Sequence, residues 1–178
     1  MRVIAGEFRS RRLKTLPGLT LRPTPDRLRE ALFNVLAPRI EGAIFLDAYA
    51  GSGSVGIEAL SRGAGHAIFV EKHFAAVKMI RENLASLKVE DRATILQRPS
   101  LGALGQLDAD IYFLDPPYTE PAEYRSALDL LGERTLRPGA LVLAQHAKRF
   151  ELAEIYGRLR RTRVLAHGDN AISFFAAE

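Results

Sequence analysis

Asp115-Pro116-Pro117-Tyr118 follows directly on the apolar run Ile111-Tyr112-Phe113-Leu114. An acid, two prolines and an aromatic at the end of a strand place a hydrogen-bond acceptor and a flat stacking surface at one rigid point. Proline cannot continue a central strand, fixes its own φ and restricts the residue before it. The pair suits an exocyclic amino group on a planar base. Asp and Pro are also ordinary turn residues, so the company they keep decides. Upstream, Ala43-Ile44-Phe45-Leu46-Asp47 runs through Ala48-Tyr49-Ala50 into Gly51-Ser52-Gly53-Ser54-Val55-Gly56 and then a helical pattern at Ile57, Ala59 and Leu60. Glycines let backbone approach a ligand closely, and the helix that follows points free N–H groups at it. Twenty residues after Gly51, the strand Ala67-Ile68-Phe69-Val70 ends in Glu71, where a carboxylate can accept both hydroxyls of a ribose. Ligands of open α/β sheets bind beyond the carboxyl ends of the strands, so all three segments would open onto one pocket.

The elements that must carry these segments alternate. Strands are expected near 43–47, 66–71, 92–96, 109–114 and 139–144, with helices near 53–62, 73–87, 100–106 and 121–133. Such a chain makes a mostly parallel sheet with right-handed crossovers and helices on both faces. The tail differs: Arg158 to Ala166 and Ala171 to Ala176 are joined only by His167-Gly168-Asp169-Asn170, which predicts an antiparallel hairpin with Asp169-Asn170 as turn chemistry. At the other end, residues 2–16 alternate as a hairpin, Arg2 to Phe8 and Arg12 to Leu16. Two strands alone are marginal in water, so this arm must lean on the domain or a partner. Thr24 is placed to cap a helix whose first residue is Pro25, with Asp26 in its first turn. Its apolar stripe, Leu28, Ala31, Leu32, Val35 and Leu36, should stop at Pro38.

The 178 residues, 47% of them hydrophobic, read as one domain over 1–178, with 1–20 as an N-terminal hairpin extension. The longest apolar run, Ala140 to Ala144, is far short of the roughly 20 residues that span a bilayer. A charged N-terminus argues against a secretory signal, which leaves the cytoplasm. With no cysteine, disulfides, thiolate metal sites and cysteine nucleophiles are excluded. His66, His73, His146 and His167 show no metal-ligand spacing, and His66, His146 and His167 read as hairpin or loop residues. Charge is uneven: residues 1–30 hold eight basic side chains against three acidic ones, and 148–163 six against two. Basic ends on an acidic body suit a protein that grips phosphates.

These segments together resemble the class I S-adenosylmethionine-dependent methyltransferases. The resemblance narrows at Arg2-Val3-Ile4-Ala5-Gly6, Arg22-Pro23-Thr24-Pro25-Asp26-Arg27-Leu28-Arg29-Glu30-Ala31-Leu32-Phe33-Asn34, Gly56-Ile57-Glu58-Ala59-Leu60-Ser61-Arg62-Gly63-Ala64 and Val70-Glu71-Lys72. Those stretches look like the bacterial 16S rRNA guanine-N2 methyltransferases. The resemblance implies a Rossmann-like, seven-stranded sheet, mostly parallel, with an antiparallel C-terminal hairpin and an N-terminal β-hairpin arm. It implies S-adenosylmethionine as cofactor, 16S rRNA in the small subunit or an assembly intermediate as partner, no membrane, and action as a monomer. Asp47, Tyr49, Gly51 and Gly53 would surround the methionine end of the cofactor and Glu71, beside Lys72, its ribose. Where such enzymes carry an acid for the adenine amino group, this chain reads Gln97-Arg98-Pro99-Ser100; Ser100 or backbone would substitute. His73, where an acid is common, is a second departure.

At the reacting end, Asp115, which also borders the cofactor, and the Pro116 carbonyl would accept the N–H groups of guanine N2, and Tyr118 would stack on a base drawn out of the RNA. Arg9, Arg11, Arg12, Lys14 and Arg22 would grip RNA. Other readings compete. Gly51 to Gly56 also fits a dinucleotide fingerprint, but Asp47 would repel a pyrophosphate and such an enzyme has no use for Asp115 to Tyr118. Adenine-N6 methylation of RNA or DNA shares the Asp-Pro-Pro-Tyr motif. A non-enzymatic RNA-binding or assembly factor would explain the basic ends and leave the pocket motifs idle.

Overall fold

The computed structural model describes residues 1–15 and 24–177. After the N-terminal arm come α1 (Asp26–Ile40), β1 (Ile44–Asp47), α2 (Ser54–Ser61), β2 (His66–Val70), α3 (Phe74–Leu87), β3 (Ala93–Leu96), α4 (Ser100–Leu104), β4 (Ile111–Leu114), α5 (Pro121–Glu133), β5 (Leu141–Ala147), β6 (Ile155–Tyr156), β7 (Leu159–His167) and β8 (Asn170–Ala177). The strands form one sheet in the order β3-β2-β1-β4-β5-β8-β7-β6. β3 through β5 are parallel, and β8 runs antiparallel between β5 and β7. The expected α/β sheet with its closing hairpin is present. It has eight strands rather than seven, because Ile155 and Tyr156 add a short antiparallel edge on β7.

Strand residues alternate between two apolar layers. Phe45, Phe69, Ile111, Phe113 and Leu143 face α1, α2 and α3, while Leu46, Val70, Tyr112, Leu114 and Val142 face α4 and α5. α1 does not stop at Pro38 but runs two residues further. Proline there forgoes one i→i−4 hydrogen bond, but only two residues follow it, so little helix is lost. Thr24 is not the cap: Pro25 holds that position and no side chain caps the helix.

The N-terminal arm doubles back as expected, with a single antiparallel bridge, Arg2 to Arg12, in place of two full strands. It leans on the domain. Val3, Phe8 and Leu13 are buried against Ile57, Leu60, Ile80, Leu84 and Leu87 of α2 and α3. Glu58, fully buried in α2, accepts the N–H groups of Ile4 (2.8 Å) and Ala5 (3.0 Å) and pairs with Arg62 at 2.8 Å. Ser61 Oγ accepts the Phe8 N–H and donates to the Ala5 carbonyl. At Gly6 (φ +84°) any Cβ would lie 1.8 Å from the Ser61 carbonyl oxygen, so only glycine passes here. The stretch Gly56 to Ala64 is thus, in part, the dock for the arm.

Candidate active site

β1 lies between β2 and β4, so connections leave it in opposite directions and its carboxyl end marks the switch point of the sheet. The loops after β1, β2 and β4 meet there. Gly51 (φ +50°) and Gly53 (φ +74°) turn the chain after β1, and Gly53 is the residue before α2. Asp47 is buried, and its Oδ2 accepts the Gly56 N–H at 3.1 Å. Glu71, also buried, accepts the Gly51 N–H on Oε2 (2.9 Å) and the His73 N–H on Oε1 (2.8 Å). Both oxygens are pinned, and each keeps a lone pair. Lys72 is exposed and makes no hydrogen bond or ion pair among the described residues. Phe74, 65% exposed at the start of α3, stands three residues from Glu71. Sequence patterning missed it, because an aromatic opening an apolar helix reads as core.

Tyr49 and Ser100, expected at different ends of the cofactor, meet in the structure. The Tyr49 hydroxyl donates to Glu123 Oε1 (3.0 Å) and bonds Ser100. Burial, then the Glu123 charge, raises its pKa. Arg98 turns away to the Gly102 carbonyl and Gln106, closing α4.

Three carboxylates converge from β1, β2 and β4. Burial pushes Asp47 up to about 7, against the Gly56 hydrogen bond and with help from the Glu71 charge. Asp115 rises to about 8, from burial first and the Asp47 charge second, while its hydrogen bond from Gln145 pulls the other way. Among the described residues no basic side chain pairs with any of the three. Acids crowded with no counter-charge fit a ligand that carries positive charge of its own. An ammonium and a sulfonium on one molecule meet that condition, and a pyrophosphate does not.

Around Asp115 the structure adds residues that sequence patterning did not single out. Gln145 on β5, fully buried, donates from Nε2 to Asp115 Oδ2 at 3.1 Å, and Thr24 Oγ1 donates to Gln145 Oε1 at 2.9 Å. Tyr124 on α5 sets its hydroxyl 3.1 Å from the Pro116 carbonyl oxygen and 2.9 Å from that of Gln145. Its single proton serves one of them at a time, so Pro116 retains a lone pair. Tyr118 is 38% exposed, and its hydroxyl donates to Asn170 Oδ1 at 3.1 Å. Asn170 is therefore more than a turn residue: it is buried at the start of β8, beside Ala147. His146 likewise is a buried strand residue, bonded to Ser173 Oγ at 2.9 Å, and His66 lies on β2 beside Thr94.

The basic residues expected to meet RNA sit elsewhere. Arg11 bonds the Ser86 carbonyl at the end of α3 far from Glu71, roughly 20 Å along a helix of that length. Lys14 pairs with Glu82 at 2.8 Å, while Arg9 and Arg12 are exposed. Arg22 lies outside the described residues. Arg29, part of the same basic stretch, is fully buried and bonds the Arg2 carbonyl and Asp26, so the N-terminal surface is less positive than its composition. No helix among the described residues is long and apolar enough to cross a membrane.

Residues 1–176 match the model of the family described as conserved hypothetical protein 95. Ribosomal RNA small subunit methyltransferase D of Haemophilus influenzae is 41% identical over 155 residues, 83% of this chain and 79% of that protein. YlbH of Bacillus subtilis is 36% identical across 98% of each chain. The solved structure of Escherichia coli yhhF superposes with a TM-score of 0.88 at 34% identity, covering 100% of this chain and 98% of that one.

Proposed function

We propose that this chain, which belongs to the family described as conserved hypothetical protein 95, is an S-adenosylmethionine-dependent rRNA methyltransferase acting on the exocyclic N2 amino group of a guanine in small-subunit rRNA. The observation that carries the reading is Asp115: a partly buried carboxyl at the end of β4, one oxygen held by Gln145, near enough to Asp47 to feel its charge and three residues before Tyr118.

When bound, S-adenosylmethionine supplies an electrophilic methyl carbon on a cationic sulfur. Asp47 would hold the ammonium of its methionine end, the Gly51-Ser52-Gly53 backbone would pack along it, and Glu71 would accept the ribose hydroxyls. Tyr49 and Ser100 would close the far side, and Phe74 would offer the adenine an apolar wall. Asp115 Oδ1 would accept one N2–H of the guanine and the Pro116 carbonyl the other. Both bonds strengthen as positive charge develops on nitrogen, which selects the transition state over the ground state. The proton leaves once that nitrogen is alkylated, and Asp115 Oδ1 would accept it. Tyr118, tied by its hydroxyl to Asn170, would stack on the base drawn out of the RNA.

Arg9, Arg11, Arg12, Lys14 and Arg22 are proposed as RNA contacts. Arg11, bonded at the far end of α3, stands roughly 20 Å along that helix from Glu71, so a substrate that meets both would be a folded RNA or subunit wide enough to span them. The test is transfer of labelled methyl to purified small-subunit rRNA, followed by nucleoside digestion and mass spectrometry. N2-methylguanosine is the expected product; N6-methyladenosine would shift the reading to the adenine enzyme, and no labelled nucleoside would refute both.

A further inference from the structure

Thr24, Gln145 and Asp115 form one chain of hydrogen bonds. Gln145 Nε2 lies 3.1 Å from Asp115 Oδ2, and Thr24 Oγ1 lies 2.9 Å from Gln145 Oε1. Both side chains are buried, at 1% and 5% exposure. An amide has one donating and one accepting end, and burial leaves no water to repair a wrong orientation. Thr24 has one hydroxyl proton. Given to Oε1, it obliges the NH₂ end to face Asp115, and a donor there favours the ionised carboxylate. The reverse orientation would set the amide oxygen against the carboxylate. Leu114 is in register with Ala144 and Gln145 with Ile172, so strand pairing brings Gln145 beside Asp115.

We propose that Thr24 and Gln145 are positioning residues that orient the Asp115 carboxyl and favour its ionised form, leaving Oδ1 as its free acceptor. The idea rests on the methyltransferase reading only for its use, since the charge state of Asp115 can be read without substrate. The groups facing Asp115 otherwise oppose ionisation or are neutral: Asp47 from the end of β1, Tyr124 from α5, Tyr118 on its own loop, and Tyr49 with Glu123 beyond. Gln145 alone among them donates to the carboxylate in the described structure. Thr24, expected as a helix cap, thereby acquires a role in the site.

The test is a carbon-13 carboxyl titration of Asp115 by NMR on the full chain without cofactor or RNA, the Asp115→Asn variant assigning the signal. Gln145→Leu should move the midpoint up by about one pH unit, the size of a charge-assisted hydrogen bond. Thr24→Val should raise it by a smaller amount, because Gln145 is then free to rotate; Thr24→Ser should leave it in place. In turnover assays the acid limb of the kcat–pH profile should move with the midpoint while KM for S-adenosylmethionine stays constant. An unmoved midpoint in folded Gln145→Leu overturns the proposal. If that variant does not fold, Thr24→Val decides: a midpoint equal to wild type overturns it. A wild-type protein that methylates no RNA, yet shows the shifts, would remove the proposed function and leave the positioning intact.

Discussion

Replacing Asp47 by Asn should stabilise the protein in the absence of ligand, and increasingly so as pH rises. The carboxyl of Asp47 moves from its ordinary 3.8 to about 7 in the folded chain, so folding favours its protonated form. A raised acid leaves stability untouched below its unfolded pKa, subtracts from it progressively as pH climbs toward the folded pKa, and subtracts a constant amount above that. Integrated between those values, the penalty grows by about 2–3 kcal/mol from pH 5 to pH 8, a ceiling because buried sites relax. Asn keeps an oxygen for the Gly56 N–H and carries no charge to desolvate. At roughly 2–4 °C per kcal/mol for a chain of this size, the margin by which Asp47→Asn melts above wild type should widen by about 5–10 °C from pH 5 to pH 8. Removing the Asp47 charge should also lower the midpoint of Asp115, whose rise it helps to cause. The same variant should lose the increase in Tm that S-adenosylmethionine gives the wild type. Differential scanning calorimetry across pH 5–8, with and without cofactor, reads all of this. A variant no more stable than wild type at pH 8, or one whose advantage ignores pH, would refute the claim that the site holds its acids against burial and mutual repulsion.

Asp115→Ala should cut turnover at least about a hundredfold, the scale of one preorganised transition-state contact, with cofactor affinity by calorimetry little changed. Tyr118→Phe keeps the ring but loses the tether to Asn170, so turnover should fall modestly and by the same factor as in Asn170→Ala, the double variant adding nothing further; independent, additive losses would refute the coupling. Tyr118→Ala should lose about 1–3 kcal/mol more in kcat/KM, the worth of a base–aromatic stack. Glu58→Ala should destabilise by about 2–4 kcal/mol in urea melts, since it strips the half-buried N–H groups of Ile4 and Ala5 of their acceptor; deleting residues 1–15 should therefore impair folding as well as RNA binding. Arg9→Ala with Arg12→Ala, both exposed, should flatten the salt dependence of RNA binding by about two counterions' worth without touching Tm; an unchanged slope would move the RNA surface to Lys148 and Arg149 at the end of β5.

Every element from β1 to α5 was legible in the chain, because strand–helix alternation is written in local apolar periodicity and in the glycines and prolines that punctuate it. The acids that end β1, β2 and β4 were legible for the same reason: each follows its own strand directly, and a parallel sheet brings such ends together whatever the rest does. The partners of those acids were not. Gln145 lies 30 residues from Asp115 and 121 from Thr24, and Asn170 lies 52 from Tyr118; in the chain Gln145 drew no reading, Thr24 read as a helix cap and Asn170 as a turn. The N-terminal charge misled in the same way, since composition counts Arg29, Lys14 and Arg11 alike while the fold buries the first and ties the other two to α3. Periodicity reports which face of an element is apolar. Which donor meets which acceptor is decided only when strand register and helix packing close distances that no spacing along the chain encodes.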